Sequence, residues 1–424
     1  MLNRVKRSAQ IYAMRVRSFQ PNARLYLVNV ILSGIAGGIF RLLFNFFVLS
    51  IGFDEALLGQ LVTTSSLTAL IMALPMGYLA DLLGRKTSLL VAGGATSLAV
   101  ALMVLYPQAW VLYAMNFVFG ISQSLAGVTM SPFLMENSGE VERTYLFSFG
   151  SGLQMVSASV GNWIGGYLPA WMVAGVGLSA TSSQAYGSAM LITAAGMGLA
   201  LIPLALLSTR QQAHAERTVF TPIRYAMDHP GLLSKLILPM LVTSIGAGLI
   251  MPFMNVFFRE VHQQPDSVIG TLFAWGSLSM GIGLMLAPPL ADRMGKIQFV
   301  VITQALSIPF LALLGFSPWF WLSTSAYYVR VALMNMSSPV YQTFVMEHVE
   351  PSSRATVASL VSMSWNFGWT FSPTISGWLQ VRYGFGPPFM GTIILYTISV
   401  ILYWAFFWRK APVADTASAL VAGD

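Results

Sequence analysis

Apolar residues run in long blocks along this chain, and polar residues gather between them. A helix needs about 20 mostly apolar residues to cross a bilayer. Blocks of that kind occupy residues 25–51, 57–80, 87–106, 109–135, 144–171, 186–207, 235–260, 267–291, 297–316, 318–346, 354–381 and 387–408. Polar positions inside several of them recur every three or four residues, the helical period. The pattern predicts an all-α membrane protein of twelve transmembrane helices in two six-helix bundles. One long polar connection separates the bundles. The expected domains are a basic segment 1–24, a first bundle 25–207, a linker 208–234, a second bundle 235–408 and a tail 409–424. Ile11, Met14 and Phe19 among the basic residues leave room for a helix lying on the membrane surface, and a short helix is expected around Pro222–Asp228.

The two halves repeat each other at a fixed offset of 211 residues. Leu79-Ala80-Asp81-Leu82-Leu83-Gly84-Arg85 returns as Leu290-Ala291-Asp292-Arg293-Met294-Gly295-Lys296, Glu136 as Glu347, Arg143 as Arg354 and Gly166 as Gly377. A duplicated membrane bundle is the mark of a transporter.

Composition agrees. Of 424 residues, 56% are hydrophobic and 9% charged, against about 25% charged in a soluble protein. The net charge of +7 is a topology signal and not a nucleic-acid patch. Eighteen of the 22 arginines and lysines fall before span one, in the even-numbered connections or in the tail, which places both termini in the cytoplasm. Cysteine is absent, so disulfides and thiolate metal sites are excluded. The methionines read as adaptable packing and not as a metal path.

The repeated loop carries chemistry. A carboxylate near a helix N-terminus interacts with the dipole and with nearby cations, and glycines let two helices approach closely. Such a cluster can latch one conformation and release another. Here the chain resembles the major facilitator superfamily, whose loop signature between helices two and three is Gly-x-Leu-Ala-Asp-Arg-x-Gly-Arg-Lys. Residues 77–86 match it, with Leu82 in place of Arg. The resemblance assigns gating roles to Gly77, Asp81, Gly84, Arg85 and Lys86, with Asp292, Arg293, Gly295 and Lys296 in the second copy. Glu136 with Arg143 and Glu347 with Arg354 are expected to join the same latch. Asn116 stands where fourth helices of the superfamily often carry an arginine linked to proton handling. Gly161-Asn162-Trp163-Ile164-Gly165-Gly166 is a partial form of an exporter mark, with Asn for Pro.

Arg41 and Arg330 lie inside spans one and ten. Counting about 1.5 Å per residue, both sit about 16–18 Å deep in a core about 30 Å thick. A charge there costs on the order of 3 kcal/mol and marks a functional candidate. The resemblance implies that helices one, four, seven and ten line a central cavity. Its expected wall is Gly34, Gly37, Arg41 and Asn45; Asn116, Gly120, Gln123 and Gly127; Ser244, Gly248, Pro252 and Asn255; and Ser323, Tyr327, Arg330 and Met334. Trp365, Asn366 and Trp369 are expected to border it. The substrate-binding set is Arg41, Asn45, Asn116, Gln123, Asn255, Tyr327 and Arg330, with the arginines receiving an anionic group through their forked donors.

No catalytic, metal or cofactor residue is expected. No Gly-x-x-x-x-Gly-Lys-Ser/Thr loop is present, so direct use of ATP is not indicated. His214 and His229 offer no pattern for an enzyme. The expectation is a monomeric secondary transporter of the cytoplasmic membrane that works by alternating access. Its partners are the bilayer and a small-molecule or lipid-like, anionic or amphiphilic solute, with export or exchange preferred. The alternatives are an uptake symporter for a small anionic metabolite, a lipid flippase, or a non-transporting sensor.

Overall fold

The computed structural model describes residues 19–175, 177–208, 230–349 and 354–408, without the side chains of 140–145, 354–356, 358, 359 and 362. The expected surface helix before residue 19, the linker helix at 222–228 and the tail after 408 lie outside the described residues.

Among the described residues, twelve helical spans follow one another. Span one is Pro21–Ser50, span two Glu55–Ile71 with Ala73–Leu83, span three Arg85–Leu105 and span four Ala109–Glu136. Span five is Glu140–Val173, and span six is Ser183–Leu199 with Leu201–Ala205. Span seven joins Pro230–Ile250, a 3-10 turn Met251–Phe253 and Met254–Glu260. Span eight is Asp266–Met294, span nine Lys296–Phe316 and span ten Phe320–Glu347. Span eleven is Arg354–Gly368 with Ser372–Tyr383, and span twelve Gly386–Tyr403 runs on into a π turn Trp404–Trp408. Helices are the open-ended way to cross lipid with every backbone group bonded internally. Among the described residues, eight single helices are long and apolar enough to cross a bilayer, and the bent pair of span two makes a ninth. Spans five, ten and eleven are less apolar because they carry inward-facing polar side chains or a break.

Several spans read as continuous from the sequence are broken. Span two bends by 60° between Ile71 and Ala73. Pro75 offers no N–H to the carbonyl of Ile71, and its ring crowds that carbonyl. Pro252 sits in the 3-10 turn of span seven, and Pro373 opens the second helix of span eleven.

Gly84 and Gly295, one offset apart, form the corners between spans two and three and between eight and nine. Their φ/ψ values are 77°/161° and 89°/141°, a region essentially reserved for glycine. A Cβ on Gly84 would meet nothing within 4 Å. Gly84→Ala therefore isolates the backbone cost. It is expected to lower stability by about 1–3 kcal/mol, read as a lower melting temperature of the purified protein.

Span one packs on spans five and six, span three on four and six, span seven on eleven and twelve, and span nine on ten and twelve. Two seams cross between the halves, span five on span eight and span two on span eleven. The hydrophobic core shows where the halves join. At the end carrying Glu55 and Glu260, which we call the seam end, a single core runs through both halves, from Phe46 and Val48 to Phe253, Phe257 and Phe258. At the end carrying Asp81 and Asp292, the loop end, each half has its own core. One gathers around Tyr26, Phe133 and Leu204, the other around Phe299, Tyr341 and Phe407.

A candidate solute cavity between the halves

The seams close through glycine. A Cβ on Gly166 would stand 2.7 Å from the carbonyl oxygen of Asp266, and one on Gly270 would stand 2.6 Å from that of Asn162. A Cβ on Gly377 would run into the carbonyl oxygen of Glu55, and one on Gly59 into that of Pro373. Each member of the first pair of contacts maps onto a member of the second by the 211-residue offset. The repeat thus extends to the two seams, which are the same contact made twice.

Polar groups reinforce this closure. Asn45 donates to Asn255 Oδ1 at 2.7 Å and to the Pro252 carbonyl at 2.6 Å, and Asn255 donates to the Leu42 carbonyl at 2.8 Å. Both asparagines line the cavity, but their amides are spent on clasping span one to span seven. Beyond them Arg259 pairs with Asp266, donates to Tyr186 and stacks over Phe46, its guanidinium carbon 3.5 Å from the ring centroid. Tyr186 in turn donates to Asp266. Phe46 and Tyr186 belong to the first half, Arg259 and Asp266 to the second. His262 packs against Phe257, Phe258 and Phe320 at the same end, and burial holds its imidazole below the ordinary range.

Between the clasp and the loop end lies a cavity of about 830 Å³. It reaches Ser338 and Gln342, which are exposed toward the loop end. Arg41, Asn116, Tyr327 and Arg330 line it as expected, and so do Trp365, Asn366 and Trp369. Arg41 is exposed to this space, whereas Arg330 is only 2% exposed. Arg330 donates through Nη2 to Tyr396 Oη at 3.1 Å, and its Nη1 lies 3.8 Å from the Met251 sulfur. Its Nε is buried without a hydrogen-bond partner. Tyr327 stands near enough to both arginines to feel their charges, held by close packing on Gly276. Among the described residues, no aspartate or glutamate lines this cavity. Asn116 donates to the Leu112 carbonyl at 2.9 Å, which leaves its amide oxygen to the cavity. Gln123 lines a side chamber of about 480 Å³ between spans two, four and eleven.

Much of the expected small-residue wall does something else. A Cβ on Gly34 would meet the Ser157 side chain of span five, and one on Gly120 the Ser65 carbonyl of span two. Gly248 packs on Ser372, and Ser244 donates to the Trp365 carbonyl. Ser323 donates to the Leu314 carbonyl at 2.7 Å. These positions bind helix to helix and do not face the solute space. In the exporter-like stretch, Gly161 and Gly165 likewise face span one, and Gly166 faces Gly270.

The repeated loop is charged, but its bonds stay inside each half. Arg85 pairs with Asp81 at 2.7 Å and with Glu136 at 3.1 Å. Lys296 pairs with Glu347, the same contact one offset later. Lys86 donates to the Leu207 carbonyl at 2.8 Å, tying the loop to span six. Asp292 and Arg293 are exposed, and nothing approaches the Cβ position of Gly77 within 4 Å. The side chains of Arg143 and Arg354 lie outside those described. Among the described residues, no bond of this loop end crosses between the halves. Electrostatic contact across the halves sits at the seam end, on Tyr186, Arg259 and Asp266. All three fall at or beside the ends of apolar blocks, where no motif marks them.

The Major Facilitator Superfamily model matches residues 26–263 and again 236–422, spanning both halves. The chain belongs to the major facilitator superfamily. It is 21% identical over 349 residues to Multidrug resistance protein MdtG of Dickeya zeae (strain Ech586), covering 79% of this chain and 80% of that one. It is 23% identical over 360 residues to the protein of the same name from Enterobacter lignolyticus (strain SCF1), covering 82% and 80%. Among solved structures it is similar to the nucleoside transporter NupG, with TM-score 0.73 at 15% identity over 92% of this chain and 100% of that one. It is equally similar to a bacterial homolog of the human lysosomal transporter Spinster in an inward-facing, unoccupied conformation, with TM-score 0.73 at 15% identity over 94% and 99%. These likenesses establish the fold. The chain is a multi-pass membrane transporter of the superfamily, a family whose members are generally not enzymes.

Proposed function

We propose that this chain is a monomeric secondary transporter that exports or exchanges anionic organic solutes across the cytoplasmic membrane by alternating access. The halves 25–207 and 235–408 move as bodies, and the basic residues put the loop end and both termini in the cytoplasm. In that orientation the present conformation is open inward and closed outward. The observation that carries the reading is Arg330, a buried guanidinium facing a cavity whose wall holds a second arginine and no described acid. A buried charge left unpaired is costly, and a solute carboxylate or phosphate would pair it. The resemblance to proteins named for multidrug resistance supports export and a broad range of organic solutes.

The test is flux of a panel of organic carboxylates and phosphates into proteoliposomes. Arg41→Gln and Arg330→Gln are each expected to slow transport of the anions by at least tenfold. Unchanged flux in both variants rejects the reading.

A further inference from the structure

The side chamber gives the solute a second part. It shares Ser65, Phe119, Trp365, Asn366 and Trp369 with the main cavity, so the two spaces adjoin. The indole Nε1 of Trp369 is buried at their junction without a hydrogen-bond partner. An N–H donates only, and a buried donor without an acceptor is costly. Trp365 lies on the last turn of Arg354–Gly368 and is 37% exposed. Trp369 follows in the break before Ser372, and both tryptophans line the chamber. Across the chamber, Gln123 is exposed. Among the described residues, neither its amide nor that of Asn366 is bonded to protein. Ser65, Ser66 and Ser124 complete the wall beside Phe119.

Resting on the anion reading above, we infer that the cavity takes a two-part solute, with its anionic group at Arg41 and Arg330 and a flat ring bearing hydrogen-bond acceptors in the side chamber. The ring lies against Trp365 and Trp369, accepts from Trp369 Nε1 and is met at its edge by the Gln123 and Asn366 amides. Aromatic faces favour flat partners. A small pocket with a few placed polar groups on aromatic walls fixes orientation and selects among ligands. A flexible acyl chain suits this chamber poorly. It would dehydrate two amides and an indole N–H and offer them nothing in return.

The probes are nalidixate, a flat heterocycle with acceptors and a carboxylate; benzoate, a ring without such acceptors; and decanoate, a carboxylate on an acyl chain. Binding is measured by calorimetry on the full chain in lipid nanodiscs. The wild-type protein is expected to bind nalidixate at least tenfold more tightly than either of the others. Trp369→Phe keeps a ring and removes the donor. It is expected to weaken nalidixate about fivefold to tenfold and leave benzoate unchanged, while Arg330→Gln weakens all three. Gln123→Leu repeats the selective loss from the opposite wall, so the outcome does not rest on one variant. Three results overturn the ring subsite: no nalidixate binding to the wild-type protein, nalidixate binding indifferent to both Trp369→Phe and Gln123→Leu, or decanoate binding more tightly than nalidixate. Loss with Trp369→Phe but none with Arg330→Gln keeps the ring subsite and rejects the anion reading.

Discussion

Arg330→Met is expected to make the protein more stable and to disable it. The side chain of Arg330 is buried with its Nε unpaired, and its two bonds run to a tyrosine hydroxyl and a thioether. Neither neutralises a guanidinium. Methionine fills similar space with no charge to desolvate and already has a sulfur neighbour in Met251. Relief of the burial penalty is expected to raise the melting temperature by roughly 2–4 °C, the shift that about 1 kcal/mol gives a domain the size of one half. Charge-assisted hydrogen bonds contribute about 1.5–3 kcal/mol each, so anion affinity is expected to fall by about 10-fold to 150-fold. The two readouts should move in opposite directions, as they do where a site stores instability for function. A variant that loses both stability and binding would show that Arg330 is a structural pin and that its bond to Tyr396 is what matters.

Gly377→Leu is expected to be the most damaging change outside the cavity. Its Cβ would collide with the backbone carbonyl of Glu55, and backbone cannot step aside as a side chain can. The seam between spans two and eleven then cannot close, and the conformation described here is no longer reachable. Transport should drop at least tenfold while the protein still purifies as a single folded species. The absence of native cysteine gives a direct readout. Ser277 lines the cavity, and Ser277→Cys should react with an impermeant maleimide from the seam end far faster beside Gly377→Leu than alone. Gly166→Leu should do the same through the other seam. Normal transport by both variants would refute the role given to these glycines.

Much of this was legible in the sequence. Block lengths placed the twelve spans, and the offset between Asp81 and Asp292 exposed the duplication. Cost in lipid singled out Arg41 and Arg330, and both line the cavity. What failed has a common cause. Periodicity shows that Gly34, Gly120 and Gly248 share a face with polar residues, but not what that face meets. Small residues serve a helix contact as readily as a cavity, and here neighbouring helices claimed them. Asn45 and Asn255 line the cavity as expected, yet no pattern shows that two amides will bond to each other. The seam was half visible. Gly166 and Gly377 matched at the offset, and the same offset relates Gly59 to Gly270 and Glu55 to Asp266. The repeat therefore runs through both seams. The Arg85–Glu136 and Lys296–Glu347 pairs follow the repeat, but which bonds cross between halves depends on the conformation, which a sequence does not carry.

The bend in span two has a mechanical consequence. Its counterpart, span eight, runs unbroken from Asp266 to Met294. Along span eight the contact with span five continues inward, through Ser159 on the Ala274 carbonyl and Met155 beside Gly281. Of the two cross-pieces that couple the halves, one is therefore a stiff rod and the other is jointed at Met72. A frame with one rigid leg and one jointed leg does not swing symmetrically. It pivots along the rigid leg and flexes at the joint, so the inward and outward strokes of this duplicated machine should trace different paths.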